Sequence, residues 1–284
     1  STGESRFHMT CCSLKNVTTI LKLPVVIFHE DFKKEKFDII KKIYSNIEFV
    51  HIDFTSEDLP FEQIACKTSG EKNGICDCVN NTNNPKDICF RPKGYLMMCR
   101  FFSGIMQNHP ALEKYDSYFR FDDDSFLIEP FLNQKEFLDK FKDIDYGFRS
   151  IFYESRDQSS LWNFTKEYIK KICDKKNISF ENYLLHLEKI NVINNGNYNG
   201  ISPYNNFHYS KLSLWKNNIV KEYINKIHEI HGCLLNNWMD ANIHAMIIFV
   251  LCPLLELNVE PITNFGYRHN RHFSIINNLN IIYK

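Results

Sequence analysis

A strand, a helix and a second strand near the N-terminus form the pattern that most restricts the fold of this chain. The segment "KLPVVIF" (22–28) is almost wholly apolar, and both it and "IEFVHIDF" (47–54) predict strands. Between them, Phe37, Ile40 and Tyr44 recur at helical spacing. This order is typical of a βαβ unit, and the apolar first run indicates a central strand. We therefore predict an α/β fold with a mostly parallel, twisted sheet flanked by helices.

The rest of the chain continues this pattern with no internal repeat and no dividing linker. The segment "SYFRF" (117–121) predicts a strand, and a turn-rich loop is predicted over 191–206. The segment "KGYLMMCRFFSGIMQNH" predicts a helix with one face made of Tyr95, Met98, Phe102 and Ile105. Amphipathic or buried helices are predicted in 161–173, 180–190, 215–232 and 239–251. We expect residues 1–284 to form a single domain.

Charge and hydropathy exclude two broad classes of function. Lysine and arginine total 34, as do aspartate and glutamate, so the chain lacks the basic excess that binding to nucleic acid phosphates requires. The most apolar run, "AMIIFVLCPLLEL", is interrupted by Pro253 and is shorter than the roughly 20 residues of a membrane span. It therefore predicts a buried helix.

An irregular Cys/Asn-rich insertion is predicted at about 66–93. It contains four of the 10 cysteines, at positions 66, 76, 78 and 89. Disulfides across a long loop, a zinc site and free thiols are all compatible with this spacing, because a single C-x-C matches zinc-ligand patterns only weakly.

Three consecutive aspartates, Asp122, Asp123 and Asp124, follow the strand "SYFRF" directly. Their charges repel one another, so a cation that binds between them would make the crowding tolerable. Carboxylates at the carboxyl end of a strand lie where α/β sheets bind ligands, and such oxygen ligands favour Mg²⁺ or Mn²⁺. Nucleotide-sugar transferases of the GT-A type use this arrangement to stabilise a departing diphosphate. An acidic surface turn and a metal-dependent phosphoesterase are the alternatives.

Six segments in colinear order resemble the fungal Golgi α-1,2-mannosyltransferases of glycosyltransferase family 15. They are "LPVVIFHEDF", "YLMMCRFFSGIMQNHPALEKYDSYFRFDDD", "YGFRSIFYES", "YNGISPYNNFHYSKLSLWKNN", "NNWMDANIHAMI" and "NFGYRHNRHF". The resemblance implies a GT-A-type fold and a metal-dependent transfer of mannose from GDP-mannose, with retention, to a hydroxyl of a glycan or glycoprotein. It also implies a setting in the Golgi or secretory-pathway lumen, although composition alone is equally compatible with a viral or cytosolic one.

The resemblance implies a metal site and a donor pocket. Asp122, Asp124 and His269 match the family's Mn²⁺ ligands; the alternative for His269 is a solvated basic loop. Arg100 and Ser103 match the helix that lines the donor pocket, or they form an ordinary surface pair. Asp122 would also contact the donor through the metal. Tyr95 is a candidate for stacking on donor or acceptor, or it belongs to the core.

The catalytic residues implied by the resemblance are less uniform. Asp240 matches an acidic residue of the family and shares a helical face with His244; its alternative role is an N-cap. His208 stands where the family has its proposed glutamate nucleophile, and an imidazole is a poor substitute for a carboxylate in double displacement. Front-face attack, another carboxylate such as Glu154 or Asp240, and lost or altered transfer remain open. Tyr204 replaces a family tryptophan in the same segment, which predicts a changed acceptor pocket. A non-catalytic relative that binds glycans or nucleotide sugars is therefore the main rival function.

Overall fold

The computed structural model of the chain describes residues 3–30, 32–54, 59, 93–128, 133–263, 265–269 and 272–275. The helices in this part are α1 (Gly3–Leu21), α2 (Lys34–Ile43), α3 (Lys93–Arg100), α4 (Gln134–Asp139), α5 (Ser159–Lys176), α6 (Phe180–Lys189), α7 (Leu212–Lys216), α8 (Asn218–Glu229), α9 (Gly232–Leu235) and α10 (Asp240–Ala245). The strands are β1 (Val25–His29), β2 (Ile47–His51), β3 (Ser117–Phe121), β4 (Ser125–Ile128), β5 (Tyr146–Phe148), β6 (Ile151–Tyr153), β7 (Ile193–Asn194), β8 (Asn197–Tyr198), β9 (Ile201–Pro203), β10 (Phe207–Lys211), β11 (Val259–Pro261), β12 (Gly266–His269) and β13 (His272–Ile275). The predicted insertion, with Cys66, Cys76, Cys78 and Cys89, lies outside the described residues up to the start of α3, so its chemistry stays a prediction.

The N-terminal βαβ unit is present as predicted. β1 and β2 pair in parallel with Val25 opposite Ile47, and α2 connects them. The predicted helical stripe faces these strands: Ile40 is fully buried, and the Phe37 ring lies 4.6 Å from that of Phe49. Apolar periodicity therefore predicts this unit correctly, but the prediction of a central strand is wrong for the described residues, where β1 pairs with β2 in a two-stranded sheet.

The prediction that the strands pair mostly in parallel is wrong for the described residues. Of their eight pairings, β1–β2 and β11–β5 are parallel and the other six are antiparallel. The largest sheet has the order β11-β5-β10-β3, and β10 runs antiparallel to both of its neighbours. Strand direction here depends on long connections between short strands, and local periodicity carries no information about such connections.

The apolar face predicted for the helix over 93–109 is present only in part: Met98, Phe102 and Ile105 pack half-buried against the core, whereas Tyr95 is 40% exposed. α3 ends at Arg100, and the segment Phe101–Ile105 that follows is kinked, with non-helical backbone at Ser103 and Gly104. The most deeply buried side chains of α3 itself are those of Leu96, Met97 and Cys99. Gly104 has φ of +133°, and a Cβ there would lie 2.5 Å from Ile224, so the segment packs closely against α8.

Two further regions differ from the sequence-based prediction. α1 was not predicted, because its sequence has no strong apolar stripe, yet it packs against β4. The region predicted as a turn-rich loop contains a short hairpin, β7–β8, and the strand β9. By contrast, the run Met246–Leu251 is a buried helical segment, as its apolar composition predicted, although its backbone is that of a π-helix.

The acidic turn lies where the chain passes from one sheet to another. β3 belongs to the four-stranded sheet, and β4 belongs to the sheet β13-β12-β4. The largest apolar cluster lies beside the four-stranded sheet and joins α5, α6, α8, α10 and the segment Met246–Leu251. None of the helices in the described part of the chain combines the length and apolarity that a membrane crossing requires.

Candidate active site

Backbone hydrogen bonds fix the turn that carries the three aspartates. The Asp122 amide donates to the Asn206 carbonyl at 3.1 Å, and the Ser125 amide donates to the Asp122 carbonyl at 3.0 Å. His269, the last residue of β12, pairs with Ser125 across the β12–β4 ladder. This register brings a residue from the far end of the chain beside the turn.

Asp122, Asp124 and His269 converge as predicted. His269 Nε2 lies 2.9 Å from Asp124 Oδ1 and 3.5 Å from Asp122 Oδ2, while its Nδ1 lies 3.1 Å from the Tyr204 hydroxyl. Asp124 Oδ1 is buried and has no hydrogen bond of acceptable geometry. Two carboxylates and an imidazole that Tyr204 orients at its other nitrogen fit Mn²⁺. Among the described residues, no group of three histidine, cysteine, aspartate or glutamate side chains has the spacing of a formed metal centre. In this cluster the imidazole contacts the carboxylates directly.

Arg120 connects the acidic turn to a second carboxylate. Its Nη2 donates to Asp122 Oδ1 and its Nη1 to Asp240 Oδ2, both at 3.0 Å. The guanidinium also lies 3.7 Å from the centre of the Phe102 ring. Arginine forms such bidentate and stacked contacts more readily than lysine. The side chain is therefore held in one place between two anions.

The charges in this cluster shift one another's protonation. Burial alone would raise the pKa of Asp122, but Arg120 and His269 outweigh it and hold that pKa below its ordinary value. Burial works against the charge on Arg120 as well, but Asp122 and Asp240 raise its pKa above the ordinary value. Burial would lower the pKa of His269, but Asp122 and Asp124 outweigh it and raise that pKa. Asp122 is therefore held in its ionised form by Arg120 and His269.

Asp240 is buried, and one of its two carboxylate oxygens is engaged. Its Oδ2 accepts from Arg120 and, at 2.9 Å, from Asn205 Nδ2. Asp240 is the first residue of α10, and the N-cap is Met239, so the alternative role of Asp240 as an N-cap is wrong. His244 does not hydrogen-bond to Asp240. It accepts from the Tyr146 hydroxyl at Nδ1 (2.9 Å) and donates from Nε2 to the Phe102 carbonyl (2.9 Å).

His208 lies in a buried network. It is fully buried, its Nδ1 donates to the Asn205 carbonyl at 3.1 Å, and its Nε2 accepts from the Tyr118 hydroxyl at 3.0 Å. Its ring stacks on Tyr146 with centroids 5.1 Å apart. Burial, together with His244 and Arg120, lowers the pKa of His208 well below its ordinary value. The imidazole is neutral, and both of its nitrogens are occupied.

Glu154 is not brought to the cluster. It follows β6, and its amide donates to the Gly200 carbonyl at 2.8 Å, at one end of the β6–β9 ladder. Tyr204, which contacts His269, has its amide bonded to Ser150 at the other end. The two ends are four positions apart along each extended strand, a distance of about 13 Å.

The predicted donor-pocket residues occupy three different environments. Tyr95 is exposed, whereas the buried Ser103 hydroxyl donates to the Cys99 carbonyl at 2.6 Å. Arg100 lines a cavity of about 400 Å³ beside Lys221 and His228. A neighbouring cavity of about 480 Å³ is lined by Gln107, Asn108, His109, Leu112, Glu113, Lys216 and Lys221. Neither cavity is lined by the aspartates or by His269, so the donor-binding roles of Arg100, Ser103 and Tyr95 stay predictions.

Three residues at the centre of the site were not singled out for these roles from the sequence. Arg120 lies two positions before Asp122 on a strand, and this alternation places both side chains on one side. That spacing was a usable signal. Tyr204 and Asn205 reach the site only because β9 returns the chain beside Ser150, so no local pattern could identify them.

A profile of the family described as glycolipid 2-alpha-mannosyltransferase matches residues 24–284. The chain belongs to this family. The resemblance inferred from the six segments is thereby confirmed, including the divergence, since the identities to relatives are low.

Two curated relatives illustrate that divergence. The chain is 28% identical over 186 residues to the O-glycoside alpha-1,2-mannosyltransferase omh1 of Schizosaccharomyces pombe, covering 62% of this chain and 44% of that protein. It is 28% identical over 184 residues to glycolipid 2-alpha-mannosyltransferase 2 of Candida albicans, covering 63% of this chain and 37% of the relative. The chain thus spans less than half the length of these relatives.

Solved structures share the fold. Core-mannan synthase A of Aspergillus fumigatus, in a form with Mn and GDP, superposes with a TM-score of 0.68 at 17% identity, covering 95% of this chain and 73% of that one. The mannosyltransferase Ktr4p of Saccharomyces cerevisiae in complex with GDP also gives 0.68, at 18% identity, with 95% and 69% covered. The predicted α/β fold class of the GT-A type is confirmed by these likenesses.

Proposed function

We propose that this chain is a metal-dependent mannosyltransferase domain that moves mannose from GDP-mannose to a hydroxyl of a glycan or glycoprotein. The observation that carries the proposal is the convergence of Asp122, Asp124 and His269 beside the Arg120–Asp240 pair. Family membership and the Mn and GDP in the solved relative support the same assignment. We further propose that residues 1–284 act as one domain, working in the secretory pathway.

Asp122, Asp124 and His269 would hold Mn²⁺ or Mg²⁺. When bound, the cation would neutralise the diphosphate of the donor and so stabilise the departing GDP. Arg120 keeps Asp122 ionised and oriented, and Tyr204 holds the imidazole ring in place. Asn205 and Arg120 together fix Asp240, which is then positioned to accept hydrogen bonds from sugar hydroxyls at Oδ1.

The contacts around the candidate nucleophiles favour front-face attack. His208 has both nitrogens engaged, Glu154 lies at the far end of its strand pair, and Asp240 is tied to Arg120. In front-face attack the acceptor oxygen bonds to the anomeric carbon on the side from which GDP departs with the bonding electrons. The acceptor proton passes to the leaving phosphate oxygen, which retains configuration without a glycosyl-enzyme. We assign His208 to holding Asn205 in place.

A binding protein without transferase activity is the second candidate, because His208 replaces the expected carboxylate. The phosphoesterase alternative is not favoured by the family match. A donor assay separates the transferase from the binding protein. We expect GDP-mannose with Mn²⁺ to raise the melting temperature, and mass spectrometry to detect release of mannose or its transfer to a methyl mannoside acceptor. A donor at a hundredfold over its dissociation constant stabilises the fold by about 2.7 kcal/mol.

The matched variants are Asp124→Asn and Asp139→Asn. Asp124→Asn should weaken Mn²⁺ binding at least about tenfold and abolish turnover, because it removes the charge of the buried oxygen beside His269. Asp139 forms an exposed pair with Lys142, so Asp139→Asn should match the parent. Stabilisation without any release of mannose would establish the binding protein instead. Equal behaviour of Asp124→Asn and the parent would place the metal elsewhere and refute the proposed site.

A further inference from the structure

The middle aspartate of the turn has a different environment from its two neighbours. Asp123 faces α1, where Arg6 donates to it through two nitrogens: Nε to Oδ2 at 2.8 Å and Nη2 to Oδ1 at 2.6 Å. The Thr10 hydroxyl lies 3.4 Å from the same Oδ2. This fork geometry is the most specific form of an arginine–carboxylate pair.

The same face of α1 continues along β4. Ser13 donates to the Ser125 carbonyl, and Asn16 both donates to the Leu127 carbonyl at 2.9 Å and accepts from the Leu127 amide at 2.7 Å. Positions 6, 10, 13 and 16 are three or four apart and thus share one helical face. They contact residues 123, 125 and 127 in order. α1 is therefore attached to the strand that begins at the acidic turn.

The other side of the first turns of α1 contacts the N-terminal βαβ unit. The Phe7 ring lies 6.1 Å from that of Phe32, and Lys36 Nζ lies 4.9 Å from the centre of the Phe7 ring. With Asn16 on β4, these contacts fix α1 at two places that do not involve Asp123. The Arg6–Asp123 pair can therefore transmit the position of a docked helix to the turn.

We propose that Arg6 and Asp123 are positioning residues that hold the turn so that Asp122 and Asp124 converge on the cation. The proposal rests on the proposed function, because it assigns these carboxylates to a metal. The third aspartate is thereby explained: Asp123 is an anchor to α1, with its charge matched by Arg6, and it does not ligate the cation.

Charge and geometry make opposite predictions for Arg6→Gln, which makes this variant decisive. Removing a cation near the turn leaves the potential more negative, so an electrostatic effect alone would tighten Mn²⁺ binding. If Arg6 has a positioning role, loss of its two hydrogen bonds to Asp123 releases the turn, and Mn²⁺ binding becomes weaker. We expect a loss of about fivefold. Arg6→Lys keeps the charge and loses the fork, so it should also weaken binding.

The experiment measures Mn²⁺ alone, by electron paramagnetic resonance of the free ion, in the parent, Arg6→Gln, Arg6→Lys and Asn16→Ala. Asn16→Ala is the control, because it removes α1–β4 contacts away from the turn while the Phe7 contacts still dock the helix, so it should weaken Mn²⁺ binding much less than Arg6→Gln does. Hydrogen exchange of the Asp122 and Ser125 amides in metal-free protein is the second readout, and it should be faster in Arg6→Gln than in Asn16→Ala.

The outcomes separate this proposal from the one on which it rests. If the parent fails to bind Mn²⁺, the proposed function fails, and this inference fails with it. If the parent binds and Arg6→Gln binds as well or better, only the positioning role is overturned. Equal losses in Arg6→Gln and Asn16→Ala also overturn it, because α1 docking in general would then be the cause.

Discussion

His269 and His208 lie at two depths of the same part of the molecule. The His269 side chain is 20% exposed and faces two carboxylates, which raise its pKa. His208 is wholly buried opposite Arg120 in the β3–β10 ladder, and burial lowers its pKa. The comparison shows that one residue type occupies two opposite electrostatic environments here. The outer imidazole can donate a lone pair to a cation, whereas the inner one has both nitrogens committed to holding the scaffold.

Substitution of Arg120, which lies between His269 and His208, should cause the largest loss of stability. Arg120→Met leaves the buried Asp240 without its cation, and breaking such a pair typically costs about 3–5 kcal/mol. Urea unfolding measures this loss. Adding Asp240→Asn should recover part of the stability, because the uncompensated charge is then gone. If the double variant is as unstable as the sum of the two single variants predicts, Asp240 and Arg120 are not energetically coupled.

A fall in pH should lower the stability of the protein strongly through the buried histidines His208 and His244. Burial lowers the pKa of His244 to about 4, and that of His208 falls in the same direction. Unfolded imidazoles titrate near 6.5, so between the two values the unfolded state binds more protons. Stability is then complete above about pH 6.5 and is lost as the pH falls toward 4. We expect about 3 kcal/mol from His244 alone.

Unfolding by urea at pH 7.5, 6 and 5 measures the slope. His244→Gln should flatten it, while His186→Gln, at an exposed position, should leave it unchanged. A parent whose stability does not change over this range would show that the inner imidazoles are not held neutral.

Paired substitutions test which imidazole binds the cation. His269→Gln should weaken Mn²⁺ binding by at least about tenfold, equivalent to about 1.4 kcal/mol, because it removes a proposed ligand. His208→Gln should change that affinity less than threefold while lowering the melting temperature, because it breaks the link to Tyr118 and Asn205. Isothermal titration with Mn²⁺ provides the affinities. The reverse ranking would exchange the roles given to the two histidines.

The smallest effect is expected at Tyr204. Tyr204→Phe removes the hydroxyl that holds His269 Nδ1, a single hydrogen bond of about 1 kcal/mol, so Mn²⁺ affinity should fall about fivefold. Tyr153→Phe is the control, since Tyr153 is an exposed tyrosine on the neighbouring β6. No change in Tyr204→Phe would show that the ring of His269 is oriented by the strand register alone.

The sequence predicted the parts of the site that depend on neighbouring residues. Asp122 and Asp124 follow a strand directly, and their place at its end could be read from alternation and from the family resemblance. Arg120 carries the same alternation signal, but the strand pattern alone assigns it no role in the site. The environments of His208 and Asp240 could not be read, because each is defined by partners on β3, on the loop before β10 and on α10.

The fold divides in a similar way. Apolar periodicity identified α2, α5 and the strands β1 to β3, because the apolar residues of each of these elements recur at regular spacing within that element. It missed α1, whose contacts to β4 are made by polar side chains such as Asn16, and a search for apolar stripes gives no weight to these. It also misjudged strand direction, which the order of β10 between β3 and β5 decides.

The passage of the chain between two sheets at Asp122–Asp124 has a consequence for the order of folding. Asp122 and His269 are 147 positions apart in the sequence, so the site is complete only after a very long loop has closed. Contacts of this separation form late and slowly, because the entropy of closure must be overcome first. Partly folded chains would therefore have the acidic turn without its imidazole, and would bind Mn²⁺ poorly. The ion would then act on the finished protein, slowing its unfolding more than it speeds its folding.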